Sequence, residues 1–225
     1  MNIPDHLLPA PWLWASHFGA LLVLALALRL GYRRGAFASL KAGWRLNLLL
    51  GACVSLMLLW SIQTGVKPGL NFHVLGATAL TLMFGWPLAL FALALITIST
   101  TLAGLGGWGA LSINFLLMGA LPVAVSHGIF RLVDGKLPNH FMVYVFLCAF
   151  FGAALAMAAT GAGITLLMAL SGTYSLDYLT SQYLPYFILM GWSEAILTGM
   201  ALSLMVVYRP AWVATFDDAR YLQNH

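Results

Sequence analysis

The sequence predicts an all-α, polytopic integral membrane protein of about seven transmembrane helices, N-terminus outside and C-terminus inside. Three observations carry that expectation. Of 225 residues, 62% are hydrophobic and only 7% charged, and the mean hydropathy is +0.93. A soluble domain carries roughly a quarter charged residues. The apolar residues fall in runs close to the ~20 that span a hydrocarbon core about 30 Å thick. The few cations cluster where such a topology places the cytoplasm. The same composition excludes a disordered, collagenous or disulfide-stapled chain. Ten Lys+Arg against six Asp+Glu give a net charge of +4, too sparse a set to build a basic patch, so no nucleic-acid partner is expected.

The chain reads as one transmembrane domain, residues 1–225. Residues 1–11 form an extracytoplasmic arm, 12–208 a helical bundle and 209–225 a cytoplasmic tail. Segment one runs from Trp12 to Leu30 and segment two from Trp44 to Ile62. The apolar stretch Phe72–Ala103 is interrupted only by Gly85-Trp86-Pro87. As one helix its 32 residues would be ~48 Å long, well beyond the bilayer core. Proline cannot continue a helix cleanly, because it lacks the N–H and clashes with the preceding turn. The stretch therefore divides into a short segment three, Asn71–Phe84, and segment four, Pro87–Gly104. Segment five covers Ala110–Leu132. Segment six begins at Phe141; its 30 apolar residues to Leu170 contain Gly161-Ala162-Gly163. The expectation is a span to Thr160 and a looser extracellular continuation. Segment seven covers Gln182–Tyr208.

The cations test this division. Seven spans with the N-terminus outside leave Arg29, Arg33, Arg34, Lys41, Arg45, Arg131, Lys136, Arg209 and Arg220 inside, and only Lys67 outside. Fusing segments three and four would flip everything after them and make the distribution even. The positive-inside rule favours the divided arrangement. The first eleven residues hold no Lys or Arg, the charge order of an N-out anchor and not of a cleaved leader. Met1 is expected to be retained, since Asn2 is bulky for the removing peptidase. Cys53 and Cys148 fall in different spans, where buried small hydrophobes are expected.

Polar residues inside a span need a reason. Glu194, the only glutamate, lies near the middle of segment seven. It reads either as a hydrogen-bonded acid joining two helices or as a proton, ion or coupling site. His17 lies about a turn and a half into segment one, and His73 opens segment three, both toward the outside. His127, near the inner end of segment five, reads as a packing histidine; His140 and His225 read as solvated or interfacial. The arm Met1–Pro9 is too polar to span and is stiffened by Pro4 and Pro9. It is either a frayed tail or a short rigid arm whose amine and His6 reach a pocket near His73. Neutral imidazole and a deprotonated amine are good ligands for nickel, cobalt and copper. No HExxH helix, GxxxxGK[ST] loop, GxSxG elbow or CxxC pair is present, so neither an ATPase nor a hydrolase is expected. Gly104-Leu105-Gly106-Gly107 reads as a tight turn between spans. The small-residue pairs Ala15/Gly19 and Ala149/Ala153 suit either helix docking or internal packing.

Several landmarks, in order along nearly the whole chain, resemble one family. The chain opens Met1-Asn2-Ile3-Pro4-Asp5-His6. A histidine precedes a Gly-containing helix start, His73-Val74-Leu75-Gly76-Ala77, and the break Gly85-Trp86-Pro87 follows. Then come Leu111-Ser112-Ile113-Asn114 through Met118-Gly119, Glu194 through Thr198-Gly199, and Arg209-Pro210. In these the chain is similar to the CbiM/NikM proteins, the substrate-binding S components of energy-coupling-factor transporters for cobalt and nickel. The resemblance implies a metal site built from the Met1 amine, the backbone at position 2 and His73. The family's position 2 also supplies an imidazole, which Asn2 cannot; His6, where the family has glycine, and His17 are candidates to replace it. The family's acidic residue after segment four is also missing from Leu105–Gly109. The resemblance further implies a multi-pass permease subunit in membrane lipid, in the bacterial cytoplasmic (inner) membrane. It would take up a divalent transition metal, with a transmembrane coupling subunit and ATPase subunits as partners. The other readings are a solitary, non-transporting metal-binding or sensor protein, for copper among others, and an intramembrane enzyme using Glu194 and a histidine.

Overall fold

A computed structural model describes residues 1–217 and 221; the predicted inner cation Arg220 and the interfacial His225 lie outside the described residues. The helices are α1 (Ala10–Arg33), α2 (Gly43–Ser61), α3 (Ala77–Phe84), α4 (Trp86–Leu102), α5 (Leu111–Lys136), α6 (Phe141–Leu170), α7 (Leu176–Gln182) and α8 (Tyr186–Tyr208). Among the described residues α1, α2, α5, α6 and α8 are long and apolar enough to cross a membrane, and α4 is a shorter apolar helix. The chain is thus a helical, multi-pass membrane protein. Many large side chains of α1 and α8, such as Phe18, Leu22, Ile188 and Trp192, are exposed, as lipid-facing residues must be.

The helix starts follow local chemistry. α1 carries Pro11 and α4 carries Pro87 in their first turns, where the missing N–H costs no helical bond. Between α3 and α4 the chain turns at Gly85, with φ 82° and ψ 156°, a conformation essentially restricted to glycine. α5 continues through Pro122 because the turn before it, Leu116–Ala120, is π-helical. Widening that turn relieves the clash proline would make with the preceding carbonyls.

Two expectations are corrected. Segment three does not begin as a helix at Asn71. Thr64–Lys67 (β1) and Leu70–Phe72 (β2) form an antiparallel hairpin turning at Pro68-Gly69, and helix starts only at Ala77. Segment six does not loosen after Thr160; α6 is continuous to Leu170, because Gly161 and Gly163 serve close packing. A Cβ on Gly161 would lie 2.3 Å from the Phe187 ring, and one on Gly163 2.9 Å from Leu121.

α3 is the centre of the bundle. Every residue in it except Ala79 is buried, and it packs on α4, α5 and α6. One end of the bundle gathers the N-terminal arm, the hairpin, the Gly104–Gly107 turn and the segment after α6. There Thr173 Oγ1 donates to Leu7 O (2.9 Å) and Tyr174 Oη to Pro68 O (2.9 Å). At the other end the backbone N–H groups of Ala214 and Thr215 donate to Met83 O (3.0 Å) and Leu82 O (3.2 Å). Those are carbonyls that a helix C-terminus leaves unpaired. Cys53 and Cys148 are buried free thiols. Ala149 and Ala153 are wholly buried, so that small-residue pair packs internally; Gly19 approaches Leu116, whereas its partner Ala15 is exposed.

Candidate metal centre

The arm is a docked part of the structure. Met1 and Ile3 are fully buried and Asn2 is 6% exposed. Asn114, a polar residue in the apolar α5, holds the strand-like arm from both sides. Its Oδ1 accepts from Ile3 N (2.9 Å) and its Nδ2 donates to Ile3 O (3.1 Å). Asp5 Oδ1 accepts from Ala110 N (2.7 Å). Gly107 is glycine because a side chain there would collide with the Asp5 carboxylate. These pins carry the amine inward, where it donates to the backbone carbonyl of Asn71 on β2.

Two residues on from Asn71, His73 is 2% exposed. Its ring centroid stands 4.6 Å from that of Trp60. Nδ1 lies 3.1 Å from Val74 O, and since a carbonyl only accepts, the contact puts the proton on Nδ1. Nε2 is then an unprotonated lone pair; it is buried and has no hydrogen-bond partner. Asn2 Nδ2 and Asn71 Oδ1 are likewise buried and unpartnered. Burial also lowers the pKa of the Met1 amine well below its ordinary value of 8.0. Removing an ammonium from water disfavours its charged form, which favours the neutral amine and its lone pair.

The loop bearing His73 is non-helical backbone inside the bundle, and such backbone must be satisfied by protein. Glu194 on α8 does this. Its Oε2 accepts from Leu75 N (2.8 Å) and its Oε1 from Gly76 N (2.7 Å), while Trp60 Nε1 donates to Leu75 O (3.1 Å). Of the two readings of Glu194, this is the hydrogen-bonded acid joining elements. Its carboxyl oxygens also sit at the N-terminus of α3, where backbone N–H groups need acceptors.

Met1, Asn2 and the His73 loop are brought together by the Met1–Asn71 contact; among the described residues no hydrogen bond or ring contact joins His6 or His17 to His73. His6 is exposed and lines, with Asn2, Pro4 and Asp5, a cavity of about 340 Å³ against Gly104–Gly107. His17 is half-buried on α1, edge-on to Trp14, and its Nδ1 is buried without a partner. His127 packs between Trp86 and Phe130. His140 caps α6, accepting from Met142 N. Sequence reading missed Asn71 and the pinning roles of Asp5 and Asn114. Asn114 carried a signal, an amide alone in an apolar helix, but Asn71 carried none. Among the described residues nowhere do three His, Cys, Asp or Glu side chains converge as a metal cluster. A metal site here therefore draws on amine, backbone or amide donors.

An N-terminal arm inserted into the end of a polytopic helical bundle, its amine beside a buried histidine, defines a membrane-embedded binding protein. Residues 2–212 match the family model for the cobalt uptake substrate-specific transmembrane region, CbiM. The chain belongs to this CbiM/NikM family, whose members are substrate-binding components of transporters and not enzymes. Two solved structures share the fold. One, described as a truncated transition metal transporter, has a TM-score of 0.78 at 20% identity, over 92% of this chain and 99% of its own. The other, a transition metal transporter, has a TM-score of 0.77 at 20% identity, over 91% of this chain and 92% of its own. A search of curated protein sequences finds no match.

Proposed function

We propose that this protein is the membrane subunit that captures a divalent transition metal ion, of the cobalt or nickel type, from outside the cell. It delivers the ion inward with energy from partner coupling and ATPase subunits. The observation that carries this reading is the docked arm, which buries the Met1 amine against Asn71 O, two residues before His73, whose Nε2 is buried without a hydrogen-bond partner. The Met1 amine, the Asn2 backbone and His73 form the nitrogen donor set. Such donors suit late first-row divalent metals, and thiolate is not needed. Membership of a cobalt-uptake family supports the same class of substrate. Seven crossings with the arm outside fit the contacts at the two ends of the bundle. β2 lies with the arm, whereas the last carbonyls of α3 meet the tail, so the His73 loop and α3 together traverse. Positive-inside counting then puts the arm outside, in the inner membrane of a bacterium.

Asn2 favours a second reading, a metal-binding protein that does not transport, with a different selectivity that includes copper. Its amide stands where an imidazole would complete the set. His6, lining the cavity at the arm, and His17 on α1 stay candidate auxiliary ligands.

The test is metal titration of the protein with its own N-terminus, using nickel, cobalt, copper and zinc. His73→Ala and an N-terminal extension should each weaken binding by at least about tenfold, the loss of one good ligand interaction. Undiminished binding in both would remove the arm-and-histidine site. Metal uptake by vesicles only when an ATPase partner is present supports the transporter; binding without uptake supports the second reading.

A further inference from the structure

An apolar groove lies toward the opposite end of the molecule from the arm. α1 and α5 both pack on α4, and between them remains a cavity of about 620 Å³. Leu26, Leu30, Leu90 and Leu121 are among its walls. Its floor is low because α5 presents Ala120, Ala124 and Gly128 there, one turn apart. The groove changes character only at its tail-side end, where Trp86, His127 and Arg34 line it. Arg131, one turn beyond His127, bears on His127 electrostatically together with Arg34. Among the described residues neither arginine forms an ion pair with a carboxylate. The Arg34 guanidinium and the His127 imidazole thus stand where an apolar slot meets the membrane surface, with Arg131 one turn farther along α5.

The geometry points to a specific site for an anionic diacyl phospholipid, one acyl chain in the slot and the phosphate on Arg34, His127 and Arg131. Charge complementarity selects this occupant. An uncharged apolar helix would fill the slot but leave both arginines unpaired. A zwitterionic lipid would set its own cation against them. Basic pockets between transmembrane helices on the inner side are a recurrent setting for anionic headgroups, and arginine matches phosphate geometry with two parallel hydrogen bonds. Trp86 suits the same depth, the headgroup boundary where its ring is half apolar and half polar.

A clean variant exists. A Cβ added at Gly128 meets no atom within 4 Å, so Gly128→Leu fills the slot without an internal clash and improves helix propensity. The experiment measures the unfolding midpoint of delipidated protein in detergent. The additives are phosphatidylglycerol, phosphatidylcholine with the same chains, or glycerol phosphate alone. For the unaltered protein, saturating phosphatidylglycerol should raise the midpoint by about 5 °C, the size expected for a ligand well above its Kd. The other two additives should leave it unchanged. Gly128→Leu, and separately Arg34→Gln with Arg131→Gln, should keep a monodisperse fold and lose the shift. If Gly128→Leu is not recovered, Ala124→Phe, at an exposed position of the same floor, replaces it. An equal shift with phosphatidylcholine, with glycerol phosphate, or in the filled-groove variant overturns the assignment. So does a dimer that forms across the groove and is abolished by Gly128→Leu, which would give the slot to a second copy.

Discussion

Two apolar runs of nearly equal length, Phe72–Ala103 and Phe141–Leu170, fold in opposite ways. The first is broken at Gly85-Trp86-Pro87 into two short helices, one of them buried at all but one position. The second passes through Gly161-Ala162-Gly163 as a single helix. Glycine stands at both places and lowers helix stability wherever it stands. The difference lies in what each glycine does. Gly85 adopts φ 82° and faces open space, with only Pro87 within 4 Å of where a Cβ would be. Gly161 is helical and faces the Phe187 ring at 2.3 Å. One is glycine for its backbone and the other for its missing side chain. Length therefore decides less than local partners do.

That contrast can be broken in stages. Glu194→Ala should do the most damage, because it strands the buried N–H groups of Leu75 and Gly76, where the first run enters its buried short helix. At about 1–3 kcal/mol for each group the loss is about 2–6 kcal/mol, and Glu194→Gln should recover part of it. Thermal unfolding in detergent reads both. Gly161→Ala should cost about 1–3 kcal/mol by overpacking against Phe187, and Phe187→Leu should rescue it in a double-mutant cycle. Gly85→Ala should cost a similar 1–3 kcal/mol through backbone strain, and no neighbouring substitution should rescue it. A rescue there, or none at Gly161, would erase the distinction. Pro87→Ala should cost least, roughly 0.4–1 kcal/mol by loosening the unfolded chain. If instead the variant fused α3 with α4, proline and not Gly85 would be the cause of the break.

Much of the bundle was legible because membrane constraints act locally. Runs of apolar residues, Pro87 at a helix start and cations flanking α1, α2 and α5 each speak through neighbours in sequence. The hairpin at Thr64–Phe72 escaped notice, although Pro68-Gly69 is a turn signal, because the strands are only three or four residues long. The continuity of α6 was illegible, since Phe187 lies far along the chain from Gly161. The candidate centre was partly legible through resemblance, which pointed to Met1, position 2 and His73. Its supports were not. Asn114 holds Ile3 across 111 positions and Glu194 holds Leu75 across 119, and no periodicity encodes such pairs.

The short helix α3 has a consequence for the order of assembly. Residues 75 and 76 find their acceptors on residue 194, and the carbonyls of residues 82 and 83 find their donors on residues 214 and 215. Bare N–H and C=O groups are not stable in hydrocarbon. During synthesis this segment leaves the ribosome early, yet its two ends have no partners until almost the whole chain has followed. It reaches its final depth last. The histidine loop is therefore fully hydrogen-bonded only once Glu194 is in place, and the far end of α3 only once the tail is.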